Sequence, residues 1–306
     1  VNKSILMPVW GKVLGDDDLR AVGYGTDGSW CYATDREADR ADTWHRDGSP
    51  IADFDVPGQG ASAIAVVPGR QALMAGRGGL LMLLDLEGNI LSHVALPGWA
   101  REPYNEPECR LAISANGVGV FQQGAWAWVF EITPAEGAPK VLRACRWVAD
   151  EKAGDDECMH ARYHRICGIA LDGPRGRVLS NSSDGTVRCW SLDGDLLATI
   201  EADRGEFADA EFLPDGRVVT GTLRGAGQLW SGDGRLLSTF RPSADRDLFI
   251  SAIDSEGQHF VTAFNGDDHA FEVWDAAGER QVVLAAHKQH YWCAAFSPDG
   301  RLVAGG

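Results

Sequence analysis

The chain has no long apolar run. None of its segments approaches the roughly 18 apolar residues that a membrane-spanning helix requires, and the early SILMPVW is short and interrupted by Pro8, unlike a secretory leader. A membrane is therefore not an expected partner. Basic runs are missing as well: 28 Lys and Arg face 44 Asp and Glu, for a formal charge of −16. Such an anion repels phosphate backbones, so nucleic acid is not an expected partner either. The charge suits a basic protein or peptide, or simply solubility. The seven cysteines are odd in number and follow no short regular spacing, which points to reduced thiols in a cytoplasm over a disulfide framework. Also absent are a G-x-S-x-G elbow, a P-loop and an H-E-x-x-H helix, patterns that position a nucleophile, a phosphate or a metal-bound water. Neither an enzyme nor a cofactor is expected.

Glycine is abundant, 37 residues in 306, as a chain with many tight turns at positive φ requires. The glycines fall into two interleaved ladders. In the first, a short apolar strand runs into a Gly turn: AVGYGTDG to Gly28, AIAVVPG to Gly69, RLAISANG to Gly117 and GIALDGPRG to Gly176. DAEFLPDG to Gly216, SAIDSEG to Gly257 and CAAFSPDG to Gly300 continue it. Each turn is followed by a second apolar run, as in RVVTGT, so each rung reads as a β-hairpin. In the second ladder a strand with a bulky residue precedes a polar Gly turn, as in VRCWSLDG to Gly194, GQLWSGDG to Gly234 and FEVWDAAG to Gly278. Trp44, Trp190, Trp230 and Trp274 occupy the bulky position, with Leu84 and Phe130 as substitutes. Four short strands in about 40 residues are the size of a propeller blade.

SDGTVRCW (Ser183 to Trp190), the Trp274-Asp275 pair and LAAHKQHYWCAAFSPDGRLVAGG (Leu284 to Gly306) resemble the WD-repeat (WD40) family. The resemblance covers nearly the whole chain, is strong over 160–306 and is degenerate over 19–130. It implies an all-β, seven-bladed β-propeller of four-stranded antiparallel blades. The expected blades are about 19–60, 61–108, 109–164, 165–206, 207–248 and 249–290, with 291–306 plus 1–18 as the last. One blade cannot cover both of its apolar faces, so the blades must stack around an axis. The second ladder has six rungs against seven in the first, so the last blade is expected to close with an N-terminal strand near residues 4–10. One strand is still lacking there. A three-stranded blade, residues beyond 306, or a strand added by a partner would each account for it.

The family also implies a buried His–Asp–Trp hydrogen-bond set that locks a blade. By spacing, Asp184 and Trp190 match with His160 or His164, Asp268 and Trp274 match in the sixth blade, and His287 matches in the seventh. In the fifth blade Arg224 takes the Asp position, which breaks the set there. One local group has metal-ligand chemistry: Cys145, Cys158, His160, His164 and Cys167. Thiolate and imidazole suit zinc, although Cys145-x12-Cys158 is no tight knuckle and Cys is also a common buried apolar residue.

Two consecutive blade connections are long, PGWAREPYNEPE and ACRWVADEKAGDDECMHARYH, and long loops in compact domains tend to carry function. They offer Trp99, Tyr104, Trp147 and Tyr163 with an acidic group of Asp150, Glu151, Asp155, Asp156 and Glu157. Aromatic anchors inside a charged rim describe a protein-binding patch. Three functions are open on the sequence: a non-catalytic scaffold or sensor holding a basic protein segment over blades two to four, a regulatory domain whose partner is another part of a longer polypeptide, and a metal-dependent enzyme or redox protein.

Overall fold

The structure is a computed structural model that describes residues 19–35, 40–57, 62–98, 109–123, 126–132, 139–146, 166–182, 185–201, 207–222, 226–241, 248–254, 256–264, 270–285, 293–299 and 302–305. Blade 1 is β1 (Leu19–Tyr24), β2 (Trp30–Asp35), β3 (Arg40–His45) and β4 (Pro50–Asp55). Blade 2 is β5 (Ser62–Val66), β6 (Leu73–Arg77), β7 (Leu80–Leu84) and β8 (Ile90–Ala95). Blade 3 is β9 (Cys109–Ile113), β10 (Val118–Gln123), β11 (Trp126–Ile132) and β12 (Pro139–Arg146). Blade 4 is β13 (Ile166–Asp172), β14 (Arg177–Ser182), β15 (Thr186–Ser191) and β16 (Leu196–Glu201). Blade 5 is β17 (Phe207–Phe212), β18 (Val218–Thr222), β19 (Gly227–Trp230) and β20 (Leu236–Phe240). Blade 6 is β21 (Leu248–Ile253), β22 (His259–Phe264), β23 (Ala270–Asp275) and β24 (Arg280–Ala285). A last sheet pairs β25 (Cys293–Phe296) with β26 (Leu302–Gly305).

All pairings are antiparallel, and every blade follows strand order in the chain. Tight turns set that meander. Gly28, Gly69, Gly117, Gly216 and Gly257 close first turns at positive φ, and Gly48, Gly88, Gly194, Gly234 and Gly278 close third turns in the same way. Inner strands neighbour one another in cyclic order, β1, β5, β9, β13, β17, β21 and β25, and β25 returns to β1. The result is a propeller ring around a channel. Six four-stranded blades are present; the expected seventh is a two-stranded sheet among the described residues. The closing strand expected near residues 4–10 lies outside them.

The core is not one mass but a series of layers between blades. Tyr32, Ala41 and Val56 of blade 1 pack on Ile64, Leu73 and Leu84 of blade 2. Met74, Leu81 and Leu83 of blade 2 pack on Phe121, Trp128 and Phe130 of blade 3. Leu179 and Cys189 of blade 4 meet Phe212 and Trp230 of blade 5, whose Val219 and Leu229 meet Phe260 and Trp274 of blade 6. Each blade is thus sandwiched, as the period-two alternation of its strands demands. Leu84 and Phe130 fill the positions of the third-strand tryptophans and are fully buried.

A β-bulge recurs in all six complete blades where the third strand meets the fourth. The register shifts at Trp44, Leu84, Phe130, Trp190, Trp230 and Trp274. Two outer-strand residues then face one bulky residue, which bends the outer strand away from the sheet.

Candidate interaction surface

In blades 4, 5 and 6 the buried third-strand tryptophan anchors the second strand through a hydroxyl group. Trp190 Nε1 donates to Ser180 Oγ at 2.8 Å, Trp230 Nε1 to Thr220 Oγ1 at 3.0 Å and Trp274 Nε1 to Thr262 Oγ1 at 2.9 Å. A buried indole N–H needs such a partner. Sequence reasoning assigned these tryptophans correctly to the blade interior but missed their acceptors; the signal was a Ser or Thr on the facing strand, 10 to 12 residues upstream. Trp230 keeps its bond in blade 5, where Arg224 was expected to break the set. Arg224, Asp184, Asp268, His160, His164 and His287 lie outside the described residues.

First and third turns gather on one face of the ring. Their aspartates cap the turn backbone: Asp27 and Asp47 accept from Ser29 and Ser49 N–H at 3.0 and 2.9 Å. Those backbone and hydroxyl donors hold both carboxyls below the usual range. Arginines then bridge neighbouring blades on this face. Arg177 donates to Asp172 at 2.7 Å and to the Gly216 and Gly232 carbonyls at 3.1 Å, and its guanidinium lies 5.0 Å over the Phe212 ring. One blade onward, Arg217 donates to Ala276 O at 2.7 Å. Arg143 reaches Asp193 from blade 3 to blade 4, and Arg46 pairs with Asp299 from blade 1 to the last sheet.

An acid pair sits where the inner strands converge. The β17 residue Glu211 stands at a position held by Gly23, Ala65, Ala112, Ala170, Ala252 and Ala295 in the other sheets. Asp209, two residues earlier, accepts from Ala210 N–H at 2.9 Å and faces the Ile250 N–H of blade 6 and the charge of Arg110. Burial pushes the Asp209 carboxyl up to about 7 against these opposing partners. Burial and the neighbouring Asp209 carboxylate raise Glu211 well above the usual carboxylate range. Nothing in the spacing pointed to this pair beyond the break in the small-residue register.

The sequence-selected loop residues Trp99, Tyr104, Trp147, Asp150, Glu151, Asp155, Asp156, Glu157 and Tyr163 lie outside the described residues. Of the metal candidates, Cys145 falls on β12, an outer strand, and Cys167 on β13, an inner one. Cys158 and His164 fall outside. Among the described residues no group of three His, Cys, Asp or Glu side chains converges. Burial pushes the Cys31 thiol up to about 11 and raises Cys189, which makes both poor nucleophiles and ligands. No helix of the described residues is long and apolar enough to cross a membrane.

An all-β ring of four-stranded antiparallel meanders, each with a buried bulky residue on its third strand, defines a β-propeller. Residues 278–306 match the family model of the WD domain, G-beta repeat, and the propeller fold around them is consistent with the WD-repeat family. No curated protein matches the chain. Propellers of this family generally mediate protein–protein interaction and are typically non-enzymatic.

Proposed function

We propose that this chain is a non-catalytic platform, working in the cytoplasm, that holds a basic protein or peptide segment on the loop face of blades 2 to 4 of a seven-bladed ring. The observation that carries the reading is the pair of consecutive long connections. Segments 96–108 and 147–165 separate outer from inner strands, whereas 56–61, 202–206, 241–247 and 286–292 do so elsewhere. Strands β8 and β12 end on the same side of the ring, so both connections start from one face. Trp99, Tyr104, Trp147 and Tyr163 supply apolar anchors of the kind that dominate interface energetics. Asp150, Glu151, Asp155, Asp156 and Glu157, with the overall charge of −16, favour a cationic segment and speed its encounter. That segment belongs either to a separate protein or to another domain of a longer polypeptide.

The test is capture of a lysine- and arginine-rich peptide library by the purified chain, followed by the double variant Trp99→Ala/Trp147→Ala. Loss of two hot-spot anchors is expected to weaken a selected peptide at least about tenfold, with the ring still folded by circular dichroism. Equal binding by the double variant would place the contact elsewhere.

A further inference from the structure

The outer strands of blades 4 and 5 form a matched pair. Both begin after a third turn on the same face, so they run in the same direction. Both pair in the same register, Ala198 and Ser238 opposite Cys189 and Leu229, and both carry the bulge. That bulge turns two consecutive leucines outward. Leu196 and Leu197 are 52% and 53% exposed, Leu236 and Leu237 46% and 43%. A strand with one packed face would bury one of each pair. Both strands are last in their sheets, with no strand paired to their outer edge among the described residues.

The charges that bracket these apolar pairs are opposite in sign. Asp195 and Glu201 flank the leucines of β16, while Arg235 and Arg241 occupy the equivalent positions around those of β20. All four are exposed, and among the described residues no charged side chain pairs with Glu201 or Arg241. At the equivalent positions β8 carries Asn89 and Ala95 and β24 carries Glu279 and Ala285, while β12 carries Lys140, already paired with Glu131 of its own blade, and Arg146.

We infer that the rim of blades 4 and 5 is a self-association surface, and that its occupant is a second copy of this chain. A two-fold axis parallel to the ring axis, running between the two blades, sets β16 of one copy against β20 of the other and repeats the contact in reverse. Because the strands keep their direction, Asp195 meets the partner's Arg235, Glu201 meets the partner's Arg241, and leucine pairs meet leucine pairs. Such an isologous patch closes on itself and stops at the dimer. Exposed ion pairs add little affinity; they choose partner and register, while the leucines supply the apolar burial. The net charge of −16 opposes approach at long range, but at physiological salt that repulsion is screened beyond about 8 Å.

Sedimentation velocity at about 100 µM, well inside the range where a small interface forms, tests this on the whole chain. Wild type is expected to dimerise, and Leu197→Asp to sediment as monomer. Glu201→Arg and Arg241→Glu each create two like-charge contacts per interface and are expected to weaken association at least about tenfold. Mixed together, these two reversals restore both pairs, so the mixture is expected to dimerise where neither variant does alone. All three positions lie on the surface, and near-ultraviolet circular dichroism verifies folding. Monomeric wild type, association unaffected by Leu197→Asp, or failure of the mixture to recover would each overturn the inference.

Discussion

Arg177 is the place to test whether polar bridges hold neighbouring blades in register. Its guanidinium is 15% exposed and the Asp172 carboxylate 4%, at 2.7 Å. Replacing Arg177 with Ala removes that pair, two hydrogen bonds to blade 5 carbonyls and the stack on Phe212. Removing one partner of a buried pair costs about 3–5 kcal/mol, chiefly because the other charge stays buried. Here Arg175 still stands 3.3 Å from Asp172, so the lower end, about 3 kcal/mol, is expected. Asp172→Ala should cost less, since Arg177 keeps its carbonyl acceptors on Gly216 and Gly232. The double variant should be no worse than Arg177→Ala alone, because it no longer buries an unpaired carboxylate, and the cycle should yield a coupling of about 2 kcal/mol. Urea unfolding followed by tryptophan fluorescence reads all four proteins. A loss under about 1 kcal/mol for Arg177→Ala, or simple additivity, would show that packing alone sets the blade 4–5 joint.

The channel acids predict a stability that falls on the alkaline side. Asp209 rises from 3.8 to about 7 on folding, so the folded state holds an extra proton; its stabilisation is complete below the unfolded value and is lost as pH rises through about 7. With screening in the channel the loss between pH 5 and 8 is about 2 kcal/mol, and Asp209→Asn, which removes the titrating carboxyl, should flatten it; equal slopes in thermal melts would contradict the assignment. Glycine substitutions separate strain from collision. A Cβ on Gly221 would lie 2.0 Å from the Leu248 carbonyl oxygen of blade 6, whereas one on Gly69 meets nothing within 4 Å. Gly221→Ala should therefore cost about 3 kcal/mol and Gly69→Ala about 1 kcal/mol from its positive φ alone, a ranking that chemical denaturation checks directly.

Much of this architecture was legible because the local code repeats. Turn glycines at fixed phase, apolar alternation of period two and a bulky third-strand residue name the hairpins without reference to anything distant. Blade 3 shows how robust this is: Phe130 replaces Trp, yet the same ladder, bulge and burial follow. The long connections were legible as composition and length only. Their aromatic and acidic residues belong to no repeat, so no period constrains where they point.

The amino-acid sequence by itself determined the strands, their order within each blade and the need to stack blades face to face, since a sheet with two apolar faces has no other way to remove both from water. Only the tertiary structure decided which charges meet across blades and which apolar residues stay outside. Arg177 is separated by 55 residues from Gly232, and its use as a bridge depends on the angle between sheets. The exposed leucines of β16 and β20 read as core in a period-two pattern; a one-residue bulge opposite each tryptophan turns them outward. Register across a bulge is a three-dimensional property, and the rim follows from it.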